Sequence, residues 1–157
     1  MVAQADPFTT FNFQVELHVS DAPGLGLAVT LCDGAFAEVD GLEMTMEPRT
    51  VREGGDNTRQ TQLVGRVSYG NLTLKRGMTA SQDLWRWFAA ATGPRRRGVK
   101  ANGTIVVQDG AHRDRVHVRL FGCLPIRMKA PSLNAKDGIV AIEELQIACG
   151  SYTVEAV

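Results

Sequence analysis

Alternating apolar and polar residues predict most of the elements in this chain. In "FNFQVELHV", Phe11, Phe13, Val15, Leu17 and Val19 form one face and polar residues form the other, which is typical of a half-buried strand. "NLTLKRG" and "RVHVRLF" repeat this alternation, and "TIVVQ" is a further strand. "LAVTLC" and "AFAEV" are predicted as short strands that flank a turn at the Asp-Gly pair 33–34.

One segment changes to the helical period. "TASQDLWRWFAAATGP" predicts a helix at about residues 81–92 that ends at the Gly-Pro pair 93–94. The side chains expected to pack on the core are Leu84, Trp85, Phe88 and Ala91. Trp87 falls off this stripe, so it is expected either to cap the edge of the core or to contact a partner.

The segment "IVAIEELQIAC" fits two structures. Its composition favours a helix, but it also fits a strand with Ile139, Ala141, Glu143, Leu145 and Ile147 on one face. With six to eight strands and one helix, the chain is expected to be mainly β. The predicted architecture is a β-rich barrel or sandwich with the helix packed on it.

The stretch "REGGDNTRQTQ", residues 52–62, contains no apolar side chain, and its flanks are predicted strands. One flank carries Met44 and Met46 in alternation with polar residues. These strands predict an extended polar hairpin at about residues 43–67. A two-stranded hairpin clear of a core is barely stable in water, so it is either a mobile loop or is completed by strands of a neighbour.

Composition narrows the class of protein. The 157 residues are most simply one domain, residues 1–157, and 44% of them are apolar. Seventeen basic residues balance seventeen acidic ones, which argues against sequence-specific nucleic-acid binding. No stretch is long enough for a membrane anchor, and the first residues lack the pattern of a signal peptide, so synthesis in the cytoplasm is expected. Three widely spaced cysteines fit reduced thiols.

The sequence predicts no enzyme. Gly24 and Gly26 begin a dinucleotide-like motif, but no strand–helix pattern surrounds it, so no cofactor is expected. His112 and His117 would face opposite sides of a strand, and no close ligand pair predicts a metal. The adjacent pair Glu143 and Glu144 is expected to be solvated or at an interface.

A basic cluster, Arg95, Arg96 and Arg97, follows the predicted helix. It is expected either to complement the helix dipole or to form a protein contact, and nucleic-acid binding is the weakest interpretation.

Four motifs, in order along nearly the whole chain, resemble the inner-tube proteins of contractile phage tails and phage-tail-like (extracellular contractile) injection systems. The chain opens with "DPFTTFNFQVEL" and continues with "FAEVDGLEMTMEPRTVREGGDNT". "QLVGRVSYGNLTLKRGMT", followed by "LWRWF", and "CLPIRMKAPSLNAKDGIVAIEELQIAC" complete the set. Each motif alone is weak, whereas their order is specific.

The resemblance implies a tail-tube-like fold, which is a β-barrel or sandwich of two packed antiparallel sheets with one flanking helix. In this fold the "VAIEELQIA" segment is a strand. The resemblance also implies a homo-oligomer of hexameric rings that stack into a hollow conduit inside a sheath. The implied partners are a sheath protein, baseplate or tube-initiation proteins, and a tube cap or terminator. Cargo or genome would occupy the lumen, and the particle could be released from the cell. The hairpin would reach a neighbouring subunit. The expected intersubunit or lumen contacts are Arg49, Arg52, Glu53, Asp56, Arg59 and Gln62, and the expected ring-to-ring or sheath contacts are Trp87, Arg95, Arg96 and Arg97.

The sequence departs from the family's motifs in three segments. One is "SDAPGLGLAVTLCDGA", a connection that is longer than the family's usual first hairpin. Cys123-Leu124 precedes Pro125 where the family has Ala-Trp, and "ACGSYTV" stands where many members have "A-H-E-G-L". These departures keep open a tube-initiating adaptor ring at the baseplate as an alternative role. A monomeric small-ligand-binding β-barrel is a remote alternative. Phage tail and injection system are not distinguished.

Overall fold

The computed structural model describes residues 12–19, 30–55, 58–94, 99–136, 138 and 140–157, with only the backbone at 33–35. Twelve strands and one helix follow one another along these residues. They are β1 Asn12–Val19, β2 Thr30–Ala35, β3 Glu38–Asp40, β4 Met44–Met46, β5 Arg49–Val51, β6 Thr61–Leu63, β7 Val67–Tyr69, β8 Leu72–Gly77, α1 Asp83–Thr92, β9 Ala101–Gln108, β10 Asp114–Lys129, β11 Ile142–Ala148 and β12 Ser151–Ala156. The prediction of a mainly β chain with one helix is confirmed.

The main sheet follows the strand order β2-β1-β9-β10-β11-β8-β3, with β12 paired to β10, and every pairing is antiparallel. β10 connects its two halves. The residues of β10 up to Cys123 pair with β9, and those from Leu124 onward pair with β11. The register shifts between Leu120 and Cys123 in the first ladder and between Pro125 and Arg127 in the second. The path ends at β2 and β3, so among the described residues the sheet is not closed into a barrel.

The alternation in the sequence places the core. Val15 and Leu17 of β1 are 0% exposed, as the pattern predicts, and Val118 and Leu120 of β10 are also buried. These side chains form one cluster with residues of β8 and β11, so both halves of the sheet cover the same core. We call the two halves and their shared core the sandwich. β11 is a strand, as the resemblance implied, because its ladder with β8 and β10 outweighs the local helix propensity.

One turn prediction is wrong. The Asp-Gly pair 33–34 lies inside β2, where Asp33 pairs with Glu16 and Gly34 with Val15. The partner strand β1 supplies ladder hydrogen bonds along this stretch, and long-range pairing overrides the local turn signal. The predicted turn "SDAPGLG" and the Gly24–Gly26 motif lie outside the described residues.

α1 covers β10 and β2. It begins after Gln82 without a side-chain cap and ends at Gly93, close to the predicted bounds. Its buried side chains are Leu84 and Trp87, whereas Trp85 and Phe88 are half-buried. The core-facing stripe is therefore rotated from the prediction, because residues three apart share a helix face as well as residues four apart.

Candidate functional site: the hairpin arm

Residues 42–70, here called the arm, leave the sheet between β3 and β8. The arm contains two short ladders, β4 with β7 and β5 with β6, each of three residue pairs. Within the described residues these four strands have no other strand partner. The arm is therefore an extended two-stranded hairpin with unpaired outer edges.

Tyr152 of β12 anchors the base of the arm. Its hydroxyl accepts a hydrogen bond from the backbone N–H of Glu43 at 2.6 Å and donates to the carbonyl of the same residue. Its ring meets Tyr69 edge-on, with centroids 4.9 Å apart. At the same place the chain passes so close to itself that a Cβ on Gly41, whose φ is 95°, would overlap the Asn71 carbonyl oxygen. The base of the arm thus has a defined geometry.

The proximal half of the arm has one polar and one apolar face. On the polar face, Thr45 and Ser68 are opposite each other, with their hydroxyl oxygens 2.7 Å apart. On the apolar face, Met44, Met46 and Val67 are 55%, 45% and 46% exposed. Contiguous apolar side chains that remain in water are typical of an interaction surface. We call these three residues the apolar face of the arm.

The distal half carries most of the predicted contact residues. Arg49, Arg52, Glu53, Arg59 and Gln62 are all exposed. Gln62 accepts a hydrogen bond from the Thr50 hydroxyl at 3.0 Å, across the β5–β6 ladder. Asp56 lies outside the described residues. The structure therefore collects the described members of the predicted set on one projecting element, although it contains no partner that they contact.

Gly65 allows the two ladders to join. Its N–H donates to the Met46 sulfur at 3.5 Å, and a Cβ at this position would collide with the Glu47 carbonyl oxygen. Beside it, the N–H of Glu47 donates to the carbonyl of Arg66 at 2.9 Å. The segments around Glu47 and Gly65 thus approach each other too closely for any residue larger than glycine at position 65.

The prediction of Trp87 as a ring-to-ring or sheath contact is wrong. Trp87 is 0% exposed and its indole N–H donates to the Val99 carbonyl at 2.9 Å. A buried indole whose N–H is satisfied within the chain has no surface to offer a partner. The other members of that set, Arg95, Arg96 and Arg97, lie outside the described residues.

The expectation that Glu143 is solvated or at an interface is also wrong. Glu143 is 2% exposed on the inward face of β11, where it accepts from the Arg76 guanidinium and from the Trp85 indole N–H at 3.1 Å. The Arg76 guanidinium also lies 5.8 Å from the centre of the Phe36 ring. This network ties β8, β11 and α1 together. The sequence correctly placed Glu143 on the same face of β11 as Leu145 and Ile147. It wrongly predicted that the Glu143 carboxylate meets solvent or an interface.

The exposed side chains of the arm offer a contact surface. Within the described ranges, no group of three or more His, Cys, Asp or Glu side chains could hold a metal ion. No helix among these residues is long and apolar enough to cross a membrane. The apolar face and Tyr152 were not predicted as functional, although the Met44–Met46 alternation beside a polar hairpin was a usable signal.

The fold and the arm define a class of protein: an open antiparallel β subunit whose projecting hairpin has uncovered surface. The family profile of the T4-like virus tail tube protein gp19 matches residues 9–153. The chain therefore belongs to the T4-like tail tube protein family, and the resemblance seen in the sequence is confirmed. A search of curated protein sequences gives no significant match.

Solved structures of contractile injection systems contain chains with the same fold. A chain in the anti-feeding prophage (AFP) baseplate is 27% identical, with a TM-score of 0.72 and 95% of each chain covered. A chain in the sheath-tube complex of PVC, an extracellular contractile injection system, is 20% identical, with a TM-score of 0.74 over 99% of this chain and 96% of that one. A chain in the AFP tube-terminating cap is 18% identical, with a TM-score of 0.74 and complete coverage of both.

Proposed function

We propose that the chain is a non-enzymatic structural subunit of the inner tube of a contractile phage tail-like injection system. Copies of it assemble into hexameric rings that stack into a hollow conduit inside a sheath. The observation that carries the proposal is the arm. In a chain of the tail tube family, it projects a half-exposed apolar face and strand edges that have no partner among the described residues.

A neighbouring copy is the proposed partner of the arm. Adding strands of a second subunit to the edges of β4 to β7 satisfies their backbone groups, and covering Met44, Met46 and Val67 removes apolar area from water. Closure of the open sheet across subunits also removes edges that otherwise promote aggregation.

Charged and polar side chains are proposed to set the register between copies and to line the lumen. The candidates on the arm remain Arg49, Arg52, Glu53, Asp56, Arg59 and Gln62. Arg95, Arg96 and Arg97 remain candidates for ring-to-ring or sheath contacts. Polar groups that are distributed over an interface rim favour correct pairing more than they add affinity.

The assembly context suggests the other partners. Similar chains occur in structures of a sheath-tube complex, a baseplate and a tube cap. We propose a sheath protein around the tube, an initiating baseplate protein below it and a cap or terminator above it, with cargo or genome in the lumen. The chain would then be part of a tail-like particle that can leave the cell.

A tube-initiating adaptor ring at the baseplate is the second candidate. The 27% identity to a chain in a baseplate structure favours it. An adaptor forms one ring and offers different surfaces above and below. By contrast, a small-ligand-binding barrel finds little support, because Leu17, Leu120 and Ile147, all 0% exposed, fill the space between the strands.

Negative-stain microscopy with mass photometry at high protein concentration tests the proposal. The wild-type chain should form hollow rings or stacked tubes. A shortened arm, with residues 52–60 replaced by Asn-Gly so that a two-residue turn closes the Val51–Thr61 pair, should remain folded and monomeric. Folded wild-type monomers that stay monomeric even with the cognate baseplate and a sibling tube subunit would contradict the proposal.

Two variants of the same strand refine the test. Met46→Lys places a charge on the apolar face and should reduce assembly at least tenfold, whereas Thr45→Lys changes the polar face of β4 and should assemble close to wild type. With the cognate baseplate and a sibling subunit present, one ring at the base indicates the adaptor, and repeated rings indicate the tube trunk.

A further inference from the structure

Two cysteines meet where β10 changes its strand partner from β9 to β11. Cys123 is the last residue of β10 that pairs with β9, and Cys149 directly follows β11. Their sulfur atoms are 2.7 Å apart. A disulfide bond is about 2.05 Å long, so the two sulfurs need to approach by only about 0.65 Å to form one. Both cysteines, like Cys32, lie in segments where the sequence departs from the family's motifs.

The neighbouring backbone keeps these sulfurs together. Leu124 pairs with Ala148, and beyond the cysteines Phe121 pairs with Ser151. The N–H of Gly150 also donates to the Phe121 carbonyl at 2.9 Å. Because strand pairing on both sides fixes the separation of the two backbones, the proximity of the cysteines is a property of the sheet rather than of a loop.

The two thiols differ in access and acidity. Cys123 is 0% exposed, and its hydrogen bond to Cys149, together with burial, raises the pKa of its thiol. Cys149 is half-buried, and the same hydrogen bond lowers the pKa of its thiol. The thiolate is the nucleophile in disulfide exchange, so Cys149 is the attacking residue and Cys123 the resolving one.

We propose that Cys123 and Cys149 form a redox-responsive disulfide, with a small-molecule disulfide of the glutathione class as the oxidant. The Cys149 thiolate attacks one sulfur of the oxidant, which forms a mixed disulfide and releases one thiolate. Cys123 then loses its proton and attacks the Cys149 sulfur, which forms the Cys123–Cys149 bond and releases the second thiolate. Two protein thiols are oxidised and one small disulfide is reduced to two thiols.

The bond would fix the junction between the two halves of the main sheet. It links β10 to the β11–β12 segment at the point where β10 changes partner from β9 to β11. A bridge that closes a loop of 26 residues restricts the unfolded chain, so it should raise the melting temperature by roughly 5–15 °C. The reducing cytoplasm keeps the pair open during synthesis. Formation of the disulfide after a particle leaves the cell rests on the proposed function. The reaction of Cys123 and Cys149 with the oxidant does not.

Thiol counting on the purified, reduced full-length chain tests the pair. The folded chain is treated with oxidised glutathione, and remaining thiols are blocked with N-ethylmaleimide after unfolding. The intact mass should show one blocked thiol rather than three, and proteolysis should give a linked peptide pair containing Cys123 and Cys149. Melting temperature should rise on oxidation and return after treatment with dithiothreitol.

Cys32 provides the matched control. It is buried in β2, where its sulfur donates to the Val15 carbonyl at 3.9 Å. Cys32→Ser should still form the bridge, whereas Cys149→Ser should show no linked peptide and no rise in melting temperature. A stable glutathione adduct on Cys149, three remaining thiols, or a bridge to Cys32 would each overturn the proposal. The assay uses free chains, so its failure is separate from a failure to form tubes.

Discussion

In the sandwich, Val15, Leu17 and Ile147 are fully buried by side chains of the same chain, whereas Met44, Met46 and Val67 of the arm remain about half exposed. The backbone differs in the same way. β9 and β10 have strand partners on both sides, but each strand of the arm has one partner within the described residues. Both regions carry alternating apolar residues, but only those of the sandwich are fully buried.

Under the proposed function, this difference separates the stability of the monomer from its capacity to assemble. The sandwich contains its own hydrophobic core, so changes there alter the free energy of unfolding of the monomer. Changes in the arm should leave that free energy almost unchanged and should alter the association of copies instead. The following predictions test this separation, beginning with the largest effect.

Glu143→Leu should be the most destabilising change. It leaves the buried Arg76 guanidinium without its carboxylate and the Trp85 indole N–H without its acceptor, which costs about 3–5 kcal/mol of unfolding free energy. Urea denaturation measures the loss. The double variant Arg76→Met with Glu143→Leu removes both charges and should recover most of it. A single variant as stable as the wild type would show that the network does not hold the sandwich together.

Leu17→Ala should cost about 2–5 kcal/mol, because it leaves a cavity between β1 and the opposing strands. Leu17 pairs with Gly103, and its side chain packs closely against that glycine. A methyl group at position 103 would lie only 2.6 Å from the Leu17 side chain. The matched arm variant, Val67→Ala, should change the unfolding free energy by less than about 0.5 kcal/mol. Equal losses in the two variants would contradict the separation of the two regions.

Tyr152→Phe tests the junction between the two regions. The variant removes the hydroxyl that bridges the N–H and carbonyl of Glu43, at a cost of about 1–2 kcal/mol. Hydrogen exchange should accelerate in the arm, whereas β9 and β10 should keep their protection. Uniformly faster exchange throughout the sheet would instead assign Tyr152 to the global core.

The smallest effect should come from the turn between β9 and β10. The backbone N–H of Arg113, the Arg115 guanidinium and the N–H of Ala111 hold the pKa of Asp109 well below its usual range. The resulting stabilisation is complete above the unfolded pKa of about 3.9 and decreases as the pH falls toward the folded value. The melting-temperature difference between wild type and Asp109→Asn should therefore be constant from pH 5 to 8 and shrink below about pH 4. A difference that grows in acid would contradict this sign.

Local patterns predicted the strands that cover the core, and long-range contacts explain the errors. The alternation in "FNFQVELHV" predicted the buried face of β1 because one side of the sheet faces the core. The Asp-Gly turn was wrong because β1 supplies a ladder for that stretch. Glu143 was assigned to solvent because nothing in the sequence places Arg76 beside it, 67 positions away.

The arm was predicted in outline for a different reason. A polar two-stranded hairpin without a core is barely stable in water, so the sequence alone indicated that a partner completes it. The apolar face was missed because an alternating strand reads the same whether its apolar side meets a core or a second copy. Only the structure shows that Met44, Met46 and Val67 remain about half exposed.

Hydrogen exchange of the arm in free and assembled protein tests the central claim most directly. Peptides that cover residues 42–70 should exchange quickly in the monomer and gain strong protection in rings or tubes, because a neighbour pairs their edges. β9 and β10 should be protected equally in both states. Assemblies in which the arm exchanges as fast as in the monomer would contradict the claim that other copies of the chain complete it.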